Sequence, residues 1–356
     1  MKIIHCGDIH LDSRLESNLP DSASRTRKKE IIMAFRRMVD YAVENGVTAV
    51  VIAGDLFDSE RMLDTTRDAV LGKIAEAPDV QFLYLIGNHD MGGKLLNSPL
   101  PENFKTFGDS WTTFEFGNVA VTGVALTEEN CRHIYGSLKL SEDKVNIVTM
   151  HGELGTAYSS QSINRNELSD KNIDYLALGH YHSFQSGNLG KNGVWCYCGC
   201  LEGRGFDECG DKGFVVLDID TNGQLKYEFH KSSIRDIVEV ECDISGVGDT
   251  SEMLKIINNS TVNVSTDAML KVVLTGDIPA DARKDTELFK KELSNKFWFV
   301  KLKDKTRIIL NPEDYINDIS LKGEFIRKVL ASELDEETRQ RVIECGLAVL
   351  SGREVL

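Results

Sequence analysis

Residues 2–10 read Lys-Ile-Ile-His-Cys-Gly-Asp-Ile-His, a short apolar run that leads through a glycine into two polar side chains. The run is too short for a helix, and its nearly continuous apolar character is typical of a strand that is buried on both faces. The polar residues, Asp8 and His10, come directly after the point where the strand is predicted to end. The same order, an apolar run and then a polar loop, recurs along the chain and decides the fold.

Four further apolar runs of this kind follow. With the first, they span Lys2–Cys6, Val47–Ala53, Gln81–Ile86, Val145–Met150 and Asp174–Leu178. Helical patterns separate the first three runs: Ser24–Asn45, for which Gly46 is the predicted C-terminal stop, and Arg61–Glu76. This alternation of strands and helices predicts a layered α/β fold with helices on both faces of a sheet.

From about Gly187 the pattern changes to strands that we expect to pair antiparallel in sequence order. They are Val194–Gly199, Gly213–Asp218 and Leu225–Lys231, with Thr221-Asn222-Gly223 as a hairpin turn. A smaller α/β pattern then begins near Ile234, and a helical tail, Ser320–Leu350, follows the break at Asn311-Pro312. We therefore expect a main domain at residues 1–233, a small α/β domain at 234–311 and a helical tail at 312–356.

Composition and charge limit the classes of function. The chain has 356 residues, of which 41% are apolar, and a net charge of −15, as in an ordinary globular protein. This charge argues against nucleic-acid binding over the whole surface, although bound metal ions and local basic patches can reverse the sign at a site. No apolar run approaches the ~20 residues that span a bilayer, and the N-terminus has no signal-peptide pattern. We expect a cytoplasmic protein with reduced cysteines and no membrane partner.

The five predicted strands are each followed by side chains that bind metal ions. The loops are Gly7-Asp8-Ile9-His10, Gly54-Asp55-Leu56-Phe57-Asp58, Gly87-Asn88-His89-Asp90, His151-Gly152-Glu153 and Gly179-His180-Tyr181-His182. Because sites in open α/β sheets form outside the carboxyl ends of the strands, we expect these loops to converge. Carboxylate, imidazole and amide ligands without cysteine suit manganese, iron or zinc. The set is too large for one tetrahedral ion and suits two ions that share a carboxylate.

The order of these blocks resembles the calcineurin-like metallophosphoesterase superfamily: Asp-x-His, Gly-Asp-x-x-Asp, Gly-Asn-His-Asp, His, Gly-His-x-His. The resemblance implies a two-sheet β-sandwich flanked by helices. It also implies that Asp8, His10, Asp55 and His182 hold one ion, and that Asp55, Asn88, His151 and His180 hold the other, with Asp55 bridging. By the same comparison, His89 is the catalytic histidine that binds no metal, and Asp58 is the carboxylate that orients it.

This ligand set implies phosphoester hydrolysis. A hydroxide between two cations is a nucleophile at neutral pH, and an oriented imidazole can supply a proton to the leaving oxygen. Similarity to the SbcD/YhaO-type DNA repair exonucleases narrows the substrate. It is carried by the opening Ile4–Ser13 and by Gly203–Glu208 followed by Lys212-Gly213.

The narrower resemblance implies a manganese-dependent nuclease acting on DNA, with a DNA-capping domain after residue 234. It also implies that the helical tail docks an SbcC-like coiled-coil ATPase, and it leaves a homodimer open. Two alternatives stay open. One is a metallophosphatase or a phosphodiesterase for cyclic nucleotides or nucleotide sugars. The other is a scaffold without catalytic activity.

Two groups of residues have competing interpretations. A basic cluster around Arg25, Arg27 and Lys28, together with Arg204, is a candidate for contacts to DNA phosphates. A charge run on a helix is, however, as often only a solvated face. The alternating cysteines Cys196, Cys198 and Cys200 share one strand face, and we favour buried packing over a metal or redox site.

Overall fold

A computed structural model describes residues 1–15, 19–58, 62–87, 95–279, 282–309, 315 and 317–350. The chain divides into two compact units, Met1–Ile237 and Val238–Leu356. None of the helices among these described residues is long and apolar enough to cross a membrane.

The first unit contains two six-stranded sheets. The first sheet has the spatial order β14 (Leu225–Lys231), β13 (Gly213–Ile219), β1 (Lys2–Cys6), β2 (Ala49–Ala53), β3 (Gln81–Leu85) and β4 (Phe104–Thr106). The second has the order β11 (Gln185–Leu189), β12 (Gly193–Tyr197), β10 (Tyr175–Gly179), β7 (Val145–His151), β6 (Val119–Gly123) and β5 (Thr112–Phe116). Both sheets mix parallel and antiparallel pairs. A short pair, β8 (Glu153–Gly155) and β9 (Ser162–Asn164), and the helical turn α3 (Arg165–Leu168) complete the unit.

The two sheets pack face to face, and helices cover the outer face of the first. Alternate residues of one strand serve different cores: Ile3 and Val51 pack between the sheets, whereas Ile4 and Val50 pack under the helices. This arrangement explains why the strands are almost continuously apolar, since both of their faces are buried. The expected two-sheet sandwich flanked by helices is confirmed.

Two helices, α1 (Asp21–Glu44) and α2 (Asp64–Ala75), lie against the first sheet and contribute to the outer core. At the end of α1, Gly46 has φ +61°, and the Val47 N–H donates to the Ala42 carbonyl at 2.9 Å. Glycine adopts this left-handed conformation without strain, so the predicted stop at Gly46 is confirmed.

The five early strands divide between the two sheets: β1, β2 and β3 lie in the first sheet, and β7 and β10 in the second. One expectation about strand pairing is wrong, because β12 does not pair with β13; it pairs parallel with β10 and antiparallel with β11. Only β13 and β14 form the expected hairpin. An apolar run shows that a strand is buried but does not specify its neighbour.

The second unit has a three-stranded sheet in the order β15 (Ile237–Asp243), β16 (Met269–Thr275), β18 (Phe299–Asp304). Two short strands, β17 (Asp277–Pro279) and β19 (Arg307–Ile309), form a separate parallel pair. The helices are α4 (Thr250–Ser260), α5 (Thr286–Lys296), α6 (Leu321–Leu330) and α7 (Glu336–Leu350). Met253, Ile257, Phe289 and Leu293 of α4 and α5 pack in one core with the sheet, and α6 packs with α7 in another.

Candidate metal centre

The loops that follow β1, β2, β7 and β10 meet at one place, although the strands belong to two sheets. Ligand atoms of Asp8, His10 and His182 lie within 4.8 Å of one another, as do those of Asp8, Asp55 and His151. The structure therefore brings together five of the predicted metal ligands. Of the other two predicted ligands, His180 is taken up below and Asn88 lies outside the described residues, as does the catalytic candidate His89.

The first group is held together by side-chain and backbone contacts. The Nε2 atoms of His10 and His182 are 3.2 Å apart. Asp8 has no exposed surface, and both of its carboxylate oxygens accept the backbone N–H of His180 at 2.9 Å. The loop after β10 thus fixes the carboxylate that follows β1.

The second group contains a histidine whose protonated nitrogen can be assigned from its partner. His151 Nδ1 lies 2.8 Å from the carbonyl oxygen of Ala53, which can only accept a hydrogen bond. In the neutral ring the hydrogen therefore lies on Nδ1, and Nε2, 3.4 Å from Asp55 Oδ2, is the nitrogen that can bind a metal ion. The same Oδ2 atom is 3.7 Å from His10 Nε2, so Asp55 lies between the two groups.

The ring of His180 is in edge-to-face contact with that of His151, with 5.7 Å between the centroids. Among the described residues it belongs to neither group of close ligand atoms. Its backbone N–H contributes to the site by donating to Asp8. A ligand role for its ring stays a prediction. Asp58 is partly buried, and its backbone N–H donates to the Leu11 carbonyl at 2.9 Å.

Several site residues have a left-handed backbone conformation, which residues other than glycine rarely adopt. The φ angles are 49° for Asp8, 49° for His10, 50° for Asp55 and 117° for His180. Such conformations cost about 1–3 kcal/mol each and persist where the surrounding structure determines them. The sharp turns after the strands direct the ligands inward, so we attribute this strain to the construction of the site.

Glycines leave the space that the ligands occupy. A Cβ atom on Gly54 would lie 2.2 Å from His151 Nδ1, and one on Gly87 would lie 2.1 Å from Asp55 Oδ1. A Cβ on Gly179 would lie 1.8 Å from the carbonyl oxygen of Ala53. The glycines that precede the polar residues in the sequence motifs are therefore required by close packing.

Burial and neighbouring charge perturb the ionisable groups of the site. Burial, with a smaller contribution from Asp55, raises the pKa of Asp8 to about 6, although His151 and His182 oppose the shift. Burial lowers the pKa of His151, but the hydrogen bond to Asp55 and the charges of Asp8 and Asp55 outweigh it and raise that pKa to about 9. Two buried carboxylates thus favour positive charge between them.

The donor set fits divalent metal ions. Asp8 and Asp55 are 0% and 2% exposed, so their charges need a buried counterion. Two nitrogen ligands ~2.1 Å from one ion lie about 3.0–3.4 Å apart, which is the separation of His10 and His182 Nε2. Oxygen and nitrogen donors in two groups that share Asp8, with Asp55 between them, suit two ions.

The structure adds residues that the spacing of the motifs did not reveal. The segment between β12 and β13 places Glu208 against His182 Nδ1 at 2.7 Å and Lys212 Nζ against the His182 carbonyl at 2.8 Å. Burial opposes ionisation of Glu208, but the hydrogen bond from His182 and the charge of Arg204 hold its pKa well below its usual range. The segment's similarity to repair exonucleases was the available signal, but it indicated only Arg204.

The predicted DNA contacts have different environments. Arg25 and Lys28 are exposed on α1 and keep that prediction. The prediction is wrong for Arg27, which is 0% exposed and is paired with Glu30, with Glu202 and with the Gly203 carbonyl. Its charge is neutralised inside the protein. Arg204 is partly exposed and donates to Glu208.

The alternating cysteines are buried side chains. Cys196 and Cys198 pack between the two sheets with Tyr175 and Ala177. Cys200 lies 3.8 Å from Glu208 Oε2. Among the described residues, none of these cysteines belongs to a group of close metal ligands.

Comparisons with known proteins agree with this geometry. The model of the family Metallophos, calcineurin-like phosphoesterase, matches residues 1–184, which is more than half of the 356. YhaO of Bacillus subtilis, named an uncharacterized metallophosphoesterase, is 27% identical over 252 residues, or 65% of this chain. The chain spans 60% of the length of YhaO.

The chain is also similar to a DNA repair protein and to a phosphatase of known structure. The DNA double-strand break repair protein Mre11 of Halobacterium salinarum is 26% identical over 292 residues, covering 78% of this chain and 71% of that protein. A dimetal phosphatase from Danio rerio is 13% identical, with a TM-score of 0.44, and covers 65% of this chain and 96% of that one. Because the family model matches more than half of the chain, the chain belongs to the calcineurin-like phosphoesterase family.

Proposed function

We propose that the chain is a phosphodiesterase that hydrolyses DNA with two manganese ions. The observation that carries the proposal is the convergence of Asp8, His10, Asp55, His151 and His182 in two adjoining ligand groups. The name of the Halobacterium relative, a DNA double-strand break repair protein, supports DNA as the substrate. The alignment with that relative covers 78% of the chain, so the similarity extends beyond the phosphoesterase family match.

The proposed division of roles follows from the contacts. Bound divalent ions would supply Lewis acidity that activates water and neutralises charge on the phosphate oxygens. The Nε2 atoms of His10 and His151 lie 3.7 and 3.4 Å from Asp55 Oδ2, and His182 Nε2 lies beside that of His10. We assign His89 the transfer of a proton to the leaving oxygen and Asp58 the orientation of that imidazole.

The proposed DNA contacts are positive charges on an otherwise acidic protein. Arg25 and Lys28 are exposed on α1, and Arg204 lies next to His182, with Nη2 at 3.0 Å from Nδ1. Because phosphate contacts position a duplex without reading its sequence, these residues would supply affinity and not sequence specificity. We assign residues 234–311 to DNA capping and keep the cytoplasm as the proposed compartment.

The experiment compares duplex DNA with bis-p-nitrophenyl phosphate and p-nitrophenyl phosphate in the presence of Mn²⁺. We expect the wild type to cut DNA and His89→Ala to lose about 100-fold or more in rate, as for loss of a general acid. His133→Ala is the control because His133 is exposed and lies outside the ligand groups. Hydrolysis of the small esters alone would contradict DNA as the substrate. Wild type that binds Mn²⁺ and hydrolyses none of the three would support the scaffold alternative.

We further propose that an SbcC-like coiled-coil ATPase docks on the C-terminal helices. Side chains of α6 and α7, including Leu321, Phe325, Val342 and Val349, line an apolar cavity. Phe325→Glu should abolish binding to the purified ATPase, whereas Val262→Glu, at an exposed apolar position outside this cavity, should not. Equal binding by both variants would reject the site. A homodimer stays a prediction, which sedimentation of the isolated chain tests.

A further inference from the structure

We propose that Glu208 is a positioning residue for the metal centre, which fixes the orientation and the tautomer of His182. The inference rests on the proposed role of His182 as a metal ligand and is independent of DNA as the substrate. Glu208 lies outside the five loops that carry the ligand motifs, in the segment between β12 and β13.

The contacts of His182 assign the position of its proton. Its Nδ1 atom lies 2.7 Å from Glu208 Oε1 and 3.0 Å from Arg204 Nη2, and its Nε2 atom lies 3.2 Å from His10 Nε2. Arg204 Nη2 makes a shorter hydrogen bond of 2.6 Å to Glu208 Oε1, so we take the carboxylate as the partner of Nδ1. A neutral imidazole carries hydrogen on only one nitrogen, and a carboxylate accepts that hydrogen. With the hydrogen on Nδ1, the Nε2 lone pair points into the first ligand group, as metal binding requires.

Glu208 is itself held in place. Its Oε2 atom accepts the Arg204 backbone N–H at 2.7 Å, and its Oε1 atom accepts the Arg204 guanidinium at 2.6 and 2.9 Å. The Glu208 N–H donates to the Gly205 carbonyl at 2.9 Å, and the residue is 4% exposed. These contacts make Glu208 a rigid acceptor for the ring.

A second anchor in the same segment holds the backbone of His182. Lys212 is buried, and its Nζ atom donates to the His182 carbonyl at 2.8 Å. Ring and backbone are thus both tied to the segment between β12 and β13. The second ligand group has a different design, because His151 Nδ1 donates to the backbone carbonyl of Ala53. Removing the Glu208 side chain should therefore weaken the first group and spare the second.

The first test measures binding of Mn²⁺ to the metal-stripped full chain by titration calorimetry. We expect the wild type to bind two ions. Glu208→Ala should bind one of them about 10- to 100-fold more weakly, the usual cost of losing such a partner, and the other unchanged. Glu208→Gln keeps an acceptor oxygen and should lie between the two, and it keeps the test usable if the alanine variant does not fold.

A buried carboxylate on the same segment gives the matched control. Glu202 is buried, and its carboxylate accepts hydrogen bonds from the Arg27 guanidinium and from the backbone N–H groups of Ile234 and Arg235, away from the candidate ligands. Glu202→Gln should lower thermal stability while both Mn²⁺ affinities stay as in the wild type. An equal loss of affinity in Glu202→Gln and Glu208→Ala would overturn the proposal, since a general disturbance of the segment would explain both.

A second measurement reads the tautomer directly and needs no metal. In ¹⁵N-histidine spectra of the metal-free chain, the His182 ring should carry its hydrogen on Nδ1, and Glu208→Ala should lose this single form. The signal is assigned by its absence in His182→Gln. An unchanged tautomer and unchanged Mn²⁺ binding in folded Glu208→Ala would reject the role of Glu208. Failure of the wild type to bind Mn²⁺ would instead reject the proposed function.

Discussion

The backbone N–H of His180 donates to both carboxylate oxygens of Asp8 at 2.9 Å, although 172 positions separate the two residues along the chain. This contact joins the loop after β1, in one sheet, to the residue that follows β10, in the other sheet. The site is therefore a product of sheet packing as much as of its sequence motifs.

Asp8 provides a prediction about metal and stability. A ligand that binds only the folded chain adds about 2.7 kcal/mol at 100 times its Kd, so Mn²⁺ should raise the melting temperature of the wild type. Asp8→Asn should lose most of this rise, because the amide offers one acceptor oxygen and no charge. Asp79→Asn, at an exposed turn, should keep it. Thermal scans with Mn²⁺ and with a chelator measure the difference, and an undiminished rise in Asp8→Asn would contradict Asp8 as a ligand.

Gly179 tests the close packing beneath the ligands. Gly179→Ala would place its Cβ 1.8 Å from the Ala53 carbonyl, so the backbone must shift. We expect it to lower the free energy of unfolding by about 1–3 kcal/mol, as overpacking does. In contrast, Gly72→Ala in the exposed middle of α2 meets no atom within 4 Å and should raise it by about 1 kcal/mol. Urea denaturation compares the signs, and two variants that both match the wild type would refute the packing argument.

Because Arg27 is buried, its replacement should affect the stability of the protein and not its binding to DNA. Arg27→Gln leaves the buried carboxylate of Glu202 without its cationic partner, whereas Glu30 keeps Arg235. Breaking a buried pair of this kind costs about 3–5 kcal/mol. Lys28→Gln, at the next and exposed position, should change the free energy of unfolding by less than about 0.5 kcal/mol. Chemical denaturation separates the two, and equal effects would show that the burial of Arg27 has no energetic importance.

The exposed cations of α1 give the corresponding prediction about DNA. The double variant Arg25→Glu with Lys28→Glu should bind duplex DNA more weakly and with a flatter dependence on salt, since fewer counterions are released. Lys105→Glu with Lys139→Glu changes the net charge equally at exposed positions outside α1 and is the control. Fluorescence anisotropy at several salt concentrations provides the measurement. Identical salt slopes for both double variants would mean that α1 has no specific role.

His5 predicts part of the pH dependence of stability. Burial between the sheets lowers its pKa from 6.5 to about 3, with only a smaller opposing effect from a backbone hydrogen bond. The unfolded chain therefore binds one more proton at this site between these pH values. The contribution to stability is complete above pH 6.5 and falls by about 1.4 kcal/mol per pH unit towards pH 3.

Replacement of His5 removes this titration. Between pH 6 and pH 4, the free energy of unfolding of His5→Asn should decrease less steeply than that of the wild type. The difference between the two slopes should correspond to at most one bound proton. His133→Asn, at an exposed histidine, should keep the wild-type slope. Urea denaturation at four or five pH values gives the slopes. A wild-type slope in a folded His5→Asn variant would show that His5 is not the neutral buried group described above.

Much of the first unit could be predicted because its strands are buried on both faces. The apolar run Lys2–Cys6 is the observed β1, and Gln81–Ile86 differs from β3 by one residue. The hairpin β5–β6 was not predicted, since Thr112–Phe116 is only half-buried and has no apolar run. The sheet to which each strand belongs depends on long-range pairing, which local periodicity does not encode.

The grouping of the candidate ligands could be predicted, and the residues that support them could not. Aspartate and histidine after a strand have few structural roles at that spacing, whereas Glu208 reaches His182 only because the chain returns past the site. For Arg27 a signal was present: Ile31 and Ala34, which are buried, lie on the same face at the four- and seven-residue spacings of a helix. Because arginine is usually exposed, its charge led to the interpretation of a buried position as an exposed one.

The dependence of His182 on Glu208 and Lys212 also sets an order of events during synthesis. Asp8 and Asp55 leave the ribosome early, but the segment that holds His182 is translated only after more than half of the chain has been made. Until then a nascent chain presents carboxylates without their anchored imidazole. The full set of proposed ligands and their anchors therefore exists only after this segment has been translated.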